Sequence, residues 1–340
     1  GTHLLVVIAA ALAPAGLMIA ARGWWLHASH AEAAAAQRRI FAAHLRQPFV
    51  LAHVAGMHTV AVGAAAVATV AAAAASGADV EMLDEAADEP LTLPPAAAPP
   101  AARALTPIVL LHGFMSGGAG FVLNLPALGR GGRPVFVVDW KGTAASPAAL
   151  FPARTAANVE NYFAQALEAW RSSLGLERIV LVGHSMGGYL TAGYTLRYPH
   201  RVAHLLLASP GGFAPLPPPW ARLASWPLAA AVAQAAVRVA NAAWRRTSIA
   251  ALLRGLGPLA WPVVWAIWRS RKGRYASTRA LGPAVALDFA RYLYHINAIP
   301  SAGDRAAPLL FGVDLRTDAP MAPRLAAAAV ARSSRREGAG

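Results

Sequence analysis

The chain has 340 residues, no cysteine and a formal charge of +14, with 56% hydrophobic and only 14% charged residues. That length accommodates one enzyme-sized catalytic domain with a lid, or two ordinary domains, and a single large core is the simpler expectation. The missing cysteine excludes disulfides, thiolate catalysis and cysteine metal sites, while the positive charge selects polyanionic partners, either nucleic acid or an anionic membrane surface. No zinc-finger, RNA-binding or helix-turn-helix pattern accompanies the charge, which puts the membrane first and argues against nucleic acid. A coding bias towards arginine and alanine would raise the charge equally, and much of the apolar excess is alanine.

Leu4 to Ala21 is an apolar run without a charge, near the short limit for crossing a bilayer and interrupted by Pro14 and Gly16. Residues 1–22 therefore read as a weak membrane anchor, with a cleaved signal peptide as the rival. No basic residue precedes the run, whereas Arg22, Arg38, Arg39 and Arg46 follow it, an asymmetry that places the rest of the chain on the cytosolic side. Between Phe49 and Ala75, apolar residues broken by Gly56, His58 and Gly63 suit a strand hairpin better than a second span. Residues 77–100 are acidic and then proline-rich, and read as a surface loop.

The pattern then becomes regular. Pro107 to Leu111, ending in His112-Gly113, and Pro134 to Val138, ending in Asp139, look like buried parallel strands. Val159, Phe163, Leu167 and Trp170 share one face of a helix with Thr155 as cap and Gly175 as stop. Ile179 to Val182 is the next strand, Met186 to Arg197 the next helix, and Val202 to Ala208 the next strand. Alternation of this kind predicts an α/β fold with a doubly wound, mostly parallel sheet.

Within it, Gly183-His184-Ser185-Met186-Gly187 joins a strand to an amphipathic helix, the context that gives the common Gly-x-Ser-x-Gly pattern its meaning. Gly183 and Gly187 leave room for a tight turn that lifts the Ser185 hydroxyl above the strand ends, at the positive end of the following helix. Ser185 is the expected nucleophile. The Met186 amide is one expected oxyanion donor, and the Phe114 amide, in a loop kept compact by Ser116-Gly117-Gly118, is the second. His112 and His184 each sit beside a glycine of these motifs and are expected to shape loop and elbow, as Gly113 does, rather than to move protons.

From Trp25 to about Leu325 the chain resembles the lysophosphatidate acyltransferase and comparative-gene-identification-58-like lipase-coactivator subfamily of α/β-hydrolases. The resemblance is carried by Trp25, Ser29 and Arg39-Ile40 in an amphipathic leader (residues 23–48), by Glu168-Ala169-Trp170-Arg171 and by Tyr198-Pro199-His200-Arg201-Val202. Arg254-Gly255-Leu256-Gly257-Pro258 and Tyr292-Leu293-Tyr294-His295-Ile296-Asn297-Ala298 look like subfamily signatures in the lid. The resemblance implies a hydrolase core over 49–212, a helical lid over 213–300, a C-terminal core starting at 301–325, and a phospholipid or acylglycerol substrate. It implies ester hydrolysis, acylation of lysophosphatidic acid, or both. Some members carry asparagine at the nucleophile position and act as coactivators of other lipases, and Ser185 favours catalysis here. No metal or resident cofactor is implied, with acyl-coenzyme A entering as co-substrate in transfer. The expected partners are substrate lipid, a membrane or lipid-droplet surface and other lipases, at the cytosolic face of a lipid droplet, endoplasmic reticulum or mitochondrion. In the lid, Trp220, Trp226, Trp244, Trp261, Trp265 and Trp268 accompany Arg245, Arg246, Arg254, Arg269, Arg271, Lys272 and Arg274. That mixture suits a headgroup boundary, and equally a helical core with a solvated face.

A serine nucleophile needs a histidine and an orienting carboxylate, which in this fold follow the lid. Family-like sequence runs through Phe311-Gly312-Val313-Asp314-Leu315-Arg316 to about Leu325 and gives way to a polar tail over 326–340, expected to be disordered. The last strands of the sheet, and the triad acid and base with them, are therefore expected outside this sequence, through an early end or shifted frame ahead of true loss of catalysis. No histidine here has an aspartate five positions later, as the family's acyltransferase motif requires. Asp288, Asp304, Asp314, Asp318, His200, His204 and His295 are not assigned to the triad.

Overall fold

The structure is a computed structural model and describes residues 28–83, 105–215, 217–272 and 281–337. The anchor expected over residues 1–22, together with Trp25 and Arg274, lies outside the described residues. Helix α1 (His30–His44) is capped by the Ser29 side chain, which accepts from the Glu32 amide. Ala33, Ala36, Gln37, Ile40 and Phe41, spaced at three and four residues, give it one buried face. Strands β1 (Phe49–Val54) and β2 (Met57–Val62) form the expected hairpin. Its turn residues Ala55 and Gly56 have φ of 50° and 70°, as a tight two-residue turn requires.

The hairpin does not extend to residue 75. Ala64–Ala75 is a helix, α2, because an alanine run has the highest helix propensity and Val67 and Val70 fall on one buried face. The loop expected over 77–100 is likewise corrected at its start, where Val80–Met82 forms β3 beside β1.

The remaining strands are β4 (Ile108–Leu111), β5 (Val135–Val138), β6 (Ile179–His184) and β7 (Val202–Ala208). A short helix α3 (Leu125–Leu128) lies between β4 and β5. Helix α4 (Ala156–Ser173), with Thr155 as its cap, precedes β6, and α5 (Met186–Arg197) follows it. The seven strands run in the order β3-β1-β2-β5-β4-β6-β7. The β5-β4-β6-β7 half is parallel, and β2 joins it antiparallel to β5. Fully apolar β4 and β5 are buried on both faces, as parallel strands between helical layers must be.

After β7 come α6 (Pro227–Arg246), α7 (Ile249–Gly255), α8 (Ala260–Lys272) and α9 (Pro283–Ala298). The helices of this region differ in burial. Ala290, Tyr292 and Ile296 of α9 share a core with Ala33, Ala36, Ile40 and Phe41 of α1 and with one sheet face. Arg39 donates to Asp288 across that contact at 2.9 Å. By contrast α6 buries no residue, and Trp226 and Leu228 are 70% and 80% exposed. Helix α10 (Ala302–Leu310) leads to α11 (Met321–Glu337). The disorder expected over 326–340 is thus replaced by helix up to Glu337. Met321 is buried, Arg324 forms a two-pronged pair with Glu160 at 2.8 and 2.9 Å, and the following alanines propagate the helix so anchored. Among the described residues no single helix is long and apolar enough to cross a membrane, although α7 and Gly257–Arg269 pass together as a pair bent by 116°.

His58 on β2 is buried and its Nε2–H donates to Gln37 Oε1 at 2.6 Å. Burial, with the charges of His53, His30 and Arg38, pushes its pKa down to about 3 from 6.5. Between those values the unfolded chain binds the extra proton, so stability present above about 6.5 is lost as pH falls. The expected outcome for His58→Gln is a flatter acid response, with urea midpoints at about pH 7 and about pH 4.5 differing less than in the wild type. An unchanged difference refutes the assignment to His58.

Candidate active site

Strands β4 and β6 are parallel neighbours with Leu111 opposite Gly183, so the chain leaves both at the same edge of the sheet. His112-Gly113 follows β4, and Gly183 to Gly187 turns β6 into α5. At the apex Ser185 has φ 54° and ψ −122°, a conformation that costs a non-glycine residue about 1–3 kcal/mol. Its backbone is pinned from three sides. The Ser185 amide donates to Ala208 O at 3.2 Å, and its carbonyl accepts from Gly188 and Gly211 at 2.9 and 3.0 Å.

Two glycines are required by close approach. A Cβ on Gly187 would run into the carbonyls of His112 and Leu111, the latter at 2.6 Å. A Cβ on Gly113 would lie 2.8 Å from Ser185 Cβ and 3.3 Å from its Oγ. The loop after β4 and the elbow after β6 are therefore in backbone contact. As the first residue of α5, Met186 has an amide without an intrahelical acceptor. The Phe114 amide likewise has no backbone acceptor among the described residues.

His112 is buried and both its ring nitrogens are engaged. Nδ1 donates to Gly113 O at 2.8 Å, while Nε2 faces the Trp140 amide at 3.4 Å, Thr143 Oγ1 at 3.3 Å and Asp139 Oδ1 at 3.6 Å. This arrangement holds the loop and leaves no nitrogen for the serine. His184 at the end of β6 is exposed. Asp139, which the sequence marks only as a residue ending a strand, supports the loop from below. Its carboxylate accepts from the Gly118 and Ala145 amides at 2.7 and 3.1 Å. Burial pushes its pKa up, opposed by His112 and the two amides.

Two residues that the sequence reading placed only in the expected lid also reach the site. Trp244 of α6 sets its ring edge-on against Phe114, 5.8 Å between centroids, and donates from Nε1 to Phe311 O at 3.0 Å. Tyr292 of α9 is buried with its hydroxyl against Gly117, where a Cβ would collide with it.

Several of the remaining acids and histidines are engaged elsewhere. Asp304 caps α10 and pairs with Arg254 at 2.8 Å, and Asp314 accepts from the Arg316 amide. Asp288 holds Arg39, and His295 Nδ1 accepts from the Ser29 amide at 3.3 Å. His200 and His204 are exposed, on the turn before β7 and on β7 itself. Among the described residues none is hydrogen-bonded to Ser185, and no three His, Asp or Glu side chains are grouped to hold a metal.

A strand, a glycine-flanked serine at positive φ and an open helix N-terminus are the elbow of an α/β-hydrolase fold, and the chain has that fold. A family profile described as alpha/beta hydrolase fold matches residues 106–252. In sequence the chain is similar to ABHD5-like proteins. It is 35% identical over 210 residues to human 1-acylglycerol-3-phosphate O-acyltransferase ABHD5, covering 59% of this chain and 54% of that protein. It is 32% identical over 202 residues to human (lyso)-N-acylphosphatidylethanolamine lipase, covering 59% and 55%. The chain thus spans about half the length of the curated relatives it matches. Among solved structures, a thermophilic esterase from Thermogutta terrifontis shares 25% identity over 60% of this chain and 62% of its own, with a TM-score of 0.40.

Gly187→Ala tests the backbone contact. Forcing a methyl against the β4 carbonyls is expected to lower stability by about 1–3 kcal/mol in chemical denaturation. A variant as stable as the wild type would show that the elbow and the loop do not touch.

Proposed function

We propose that this chain is a lipid-directed carboxylic ester hydrolase or acyltransferase of the serine type. Ser185 attacks the acyl carbonyl, and the Met186 and Phe114 amides hold the oxyanion as the tetrahedral intermediate forms. The supporting observation is Ser185 at φ 54° between the loop after β4 and the first turn of α5, with both amides left without backbone acceptors. His112 and His184 shape loop and elbow, and the proton acceptor and its carboxylate are not assigned among the described residues. Water as acceptor of the acyl group gives hydrolysis. Acyl-coenzyme A as acyl donor and a lysophospholipid as acceptor give transfer.

The lipid class follows from the curated relatives, one named as an acylglycerol-phosphate acyltransferase and another as an N-acylphosphatidylethanolamine lipase. A membrane or lipid-droplet surface on the cytosolic side fits the lid. Helix α6 carries exposed Leu228, Val232 and Val239 beside Trp226, and ends in Arg245 and Arg246. The same exposed face supports a second reading, a non-catalytic coactivator that docks on lipid and other lipases.

A fluorophosphonate probe is expected to label the wild type and not Ser185→Ala. Absence of labelling in the wild type favours the coactivator reading. In vesicle flotation, anionic vesicles are expected to capture the chain several-fold better than neutral ones, and Trp226→Ala with Leu228→Ala to weaken both. Equal capture by the two vesicle types refutes the electrostatic part.

A further inference from the structure

A hollow of about 380 Å³ lies where the end of α6, the start of α7, α10 and the segment before α4 converge. Its volume is in the range of roughly 300–1,000 Å³ typical of small-molecule sites. Arg154, Arg245, Arg246, Arg254 and Arg305 line it, with Asp304 as the one carboxylate. That carboxylate is already committed, pairing with Arg254 and capping α10 through the Ser301 amide. Among the described residues no carboxylate pairs with Arg154, Arg245, Arg246 or Arg305. The α6 C-terminus accounts for the placement of Arg245 and Arg246 through its dipole. It does not account for Arg154 and Arg305, which come from other elements and bring like charge to the same hollow against electrostatic repulsion.

We propose that this hollow binds a phosphoryl group, held by Arg154, Arg245, Arg246 and Arg305. Guanidinium groups match phosphate oxygens two at a time, and four of them from three chain segments can surround a mono- or diester. Thr247 adds a hydroxyl to the lining. The hollow is also connected to the candidate active site. Trp244 forms part of its wall, and the same ring packs on Phe114. A phosphoglycerol headgroup in the hollow therefore sits one aromatic ring away from the proposed oxyanion loop. In this respect the proposal rests on the reading of Ser185 and gives its substrate a phosphate.

Calorimetric titration of the full chain with dihexanoyl phosphatidate, inorganic phosphate and uncharged dihexanoylglycerol tests the site. Phosphatidate is expected to bind saturably and at least about tenfold more tightly than dihexanoylglycerol, with Arg245→Ala/Arg246→Ala losing about tenfold or more. Arg305→Ala, at an exposed position, is expected to weaken binding independently should the double variant unfold, whereas remote Arg130→Ala has no effect. Phosphatidate binding tighter than inorganic phosphate assigns the site to a lipid headgroup. Equal affinities assign it to free phosphate, and either result supports a phosphoryl site. No saturable binding of either ligand, or binding indifferent to the hollow's arginines, overturns it. Fluorophosphonate labelling of Ser185 in the same samples separates the two readings, since labelled protein without phosphoryl binding sinks this site alone.

Discussion

Two adjacent parallel strands end against each other, and their exits leave no room for a Cβ at Gly113 or Gly187. Gly187 rests on the carbonyls that close β4, and Gly113 rests on Ser185 itself. The Gly187 contact is with backbone carbonyls and cannot be relieved by a rotamer change, which constrains the elbow. The positive φ of Ser185 is the result, and its cost is offset by the hydrogen bonds from Gly188 and Gly211 and to Ala208. The Ser185 hydroxyl, the Met186 amide and the Phe114 amide are thereby fixed together by the sheet and not by a flexible surface loop.

The loop after β4 depends in turn on buried polar groups. Asp139 takes the Gly118 and Ala145 amides, and His112 takes Gly113 O from the other side. A carboxylate with two amides and a histidine is expensive to bury and more expensive to leave half-satisfied, so the loop is held in one geometry. Gly118 has no room for a Cβ because Val137 and Gln37 close over it at 2.8 and 2.9 Å. Gln37 belongs to α1 and Tyr292, against Gly117, to α9. The layer formed by α1 and α9 is thus the wall against which the loop after β4 is pressed, which explains why α9 is core where its lid-like signature predicts a cover.

What the sequence made readable was local. Strand lengths, the Thr155 cap, the α5 boundaries and the glycine-flanked serine all follow from neighbours within a few residues, where pattern and propensity act directly. Asp139, Trp244 and Tyr292 reach the loop across separations in sequence that no periodicity reports. Alanine misled in both directions. At 64–75 an apolar alanine run resembled strand, and at 326–337 an arginine–alanine run resembled disorder, yet each becomes helix once one face is anchored, by Val67 and Val70 in α2 and by Met321 and Arg324 in α11.

Helix α6 stands apart from this rigidity. It buries no residue, and its ties lie in its C-terminal half, where Trp244 donates to Phe311 O and Asn241 Oδ1 accepts from the Val313 amide. Its N-terminal half presents the exposed apolar side chains of Leu228 and Val232. An amphipathic helix in water owes most of its stability to the face it buries, and in α6 Trp244 supplies part of that face by packing against Phe114. The indole that ties α6 to Phe311 O also packs on the side chain of Phe114, the proposed oxyanion residue, so that ring links α6 to the loop after β4.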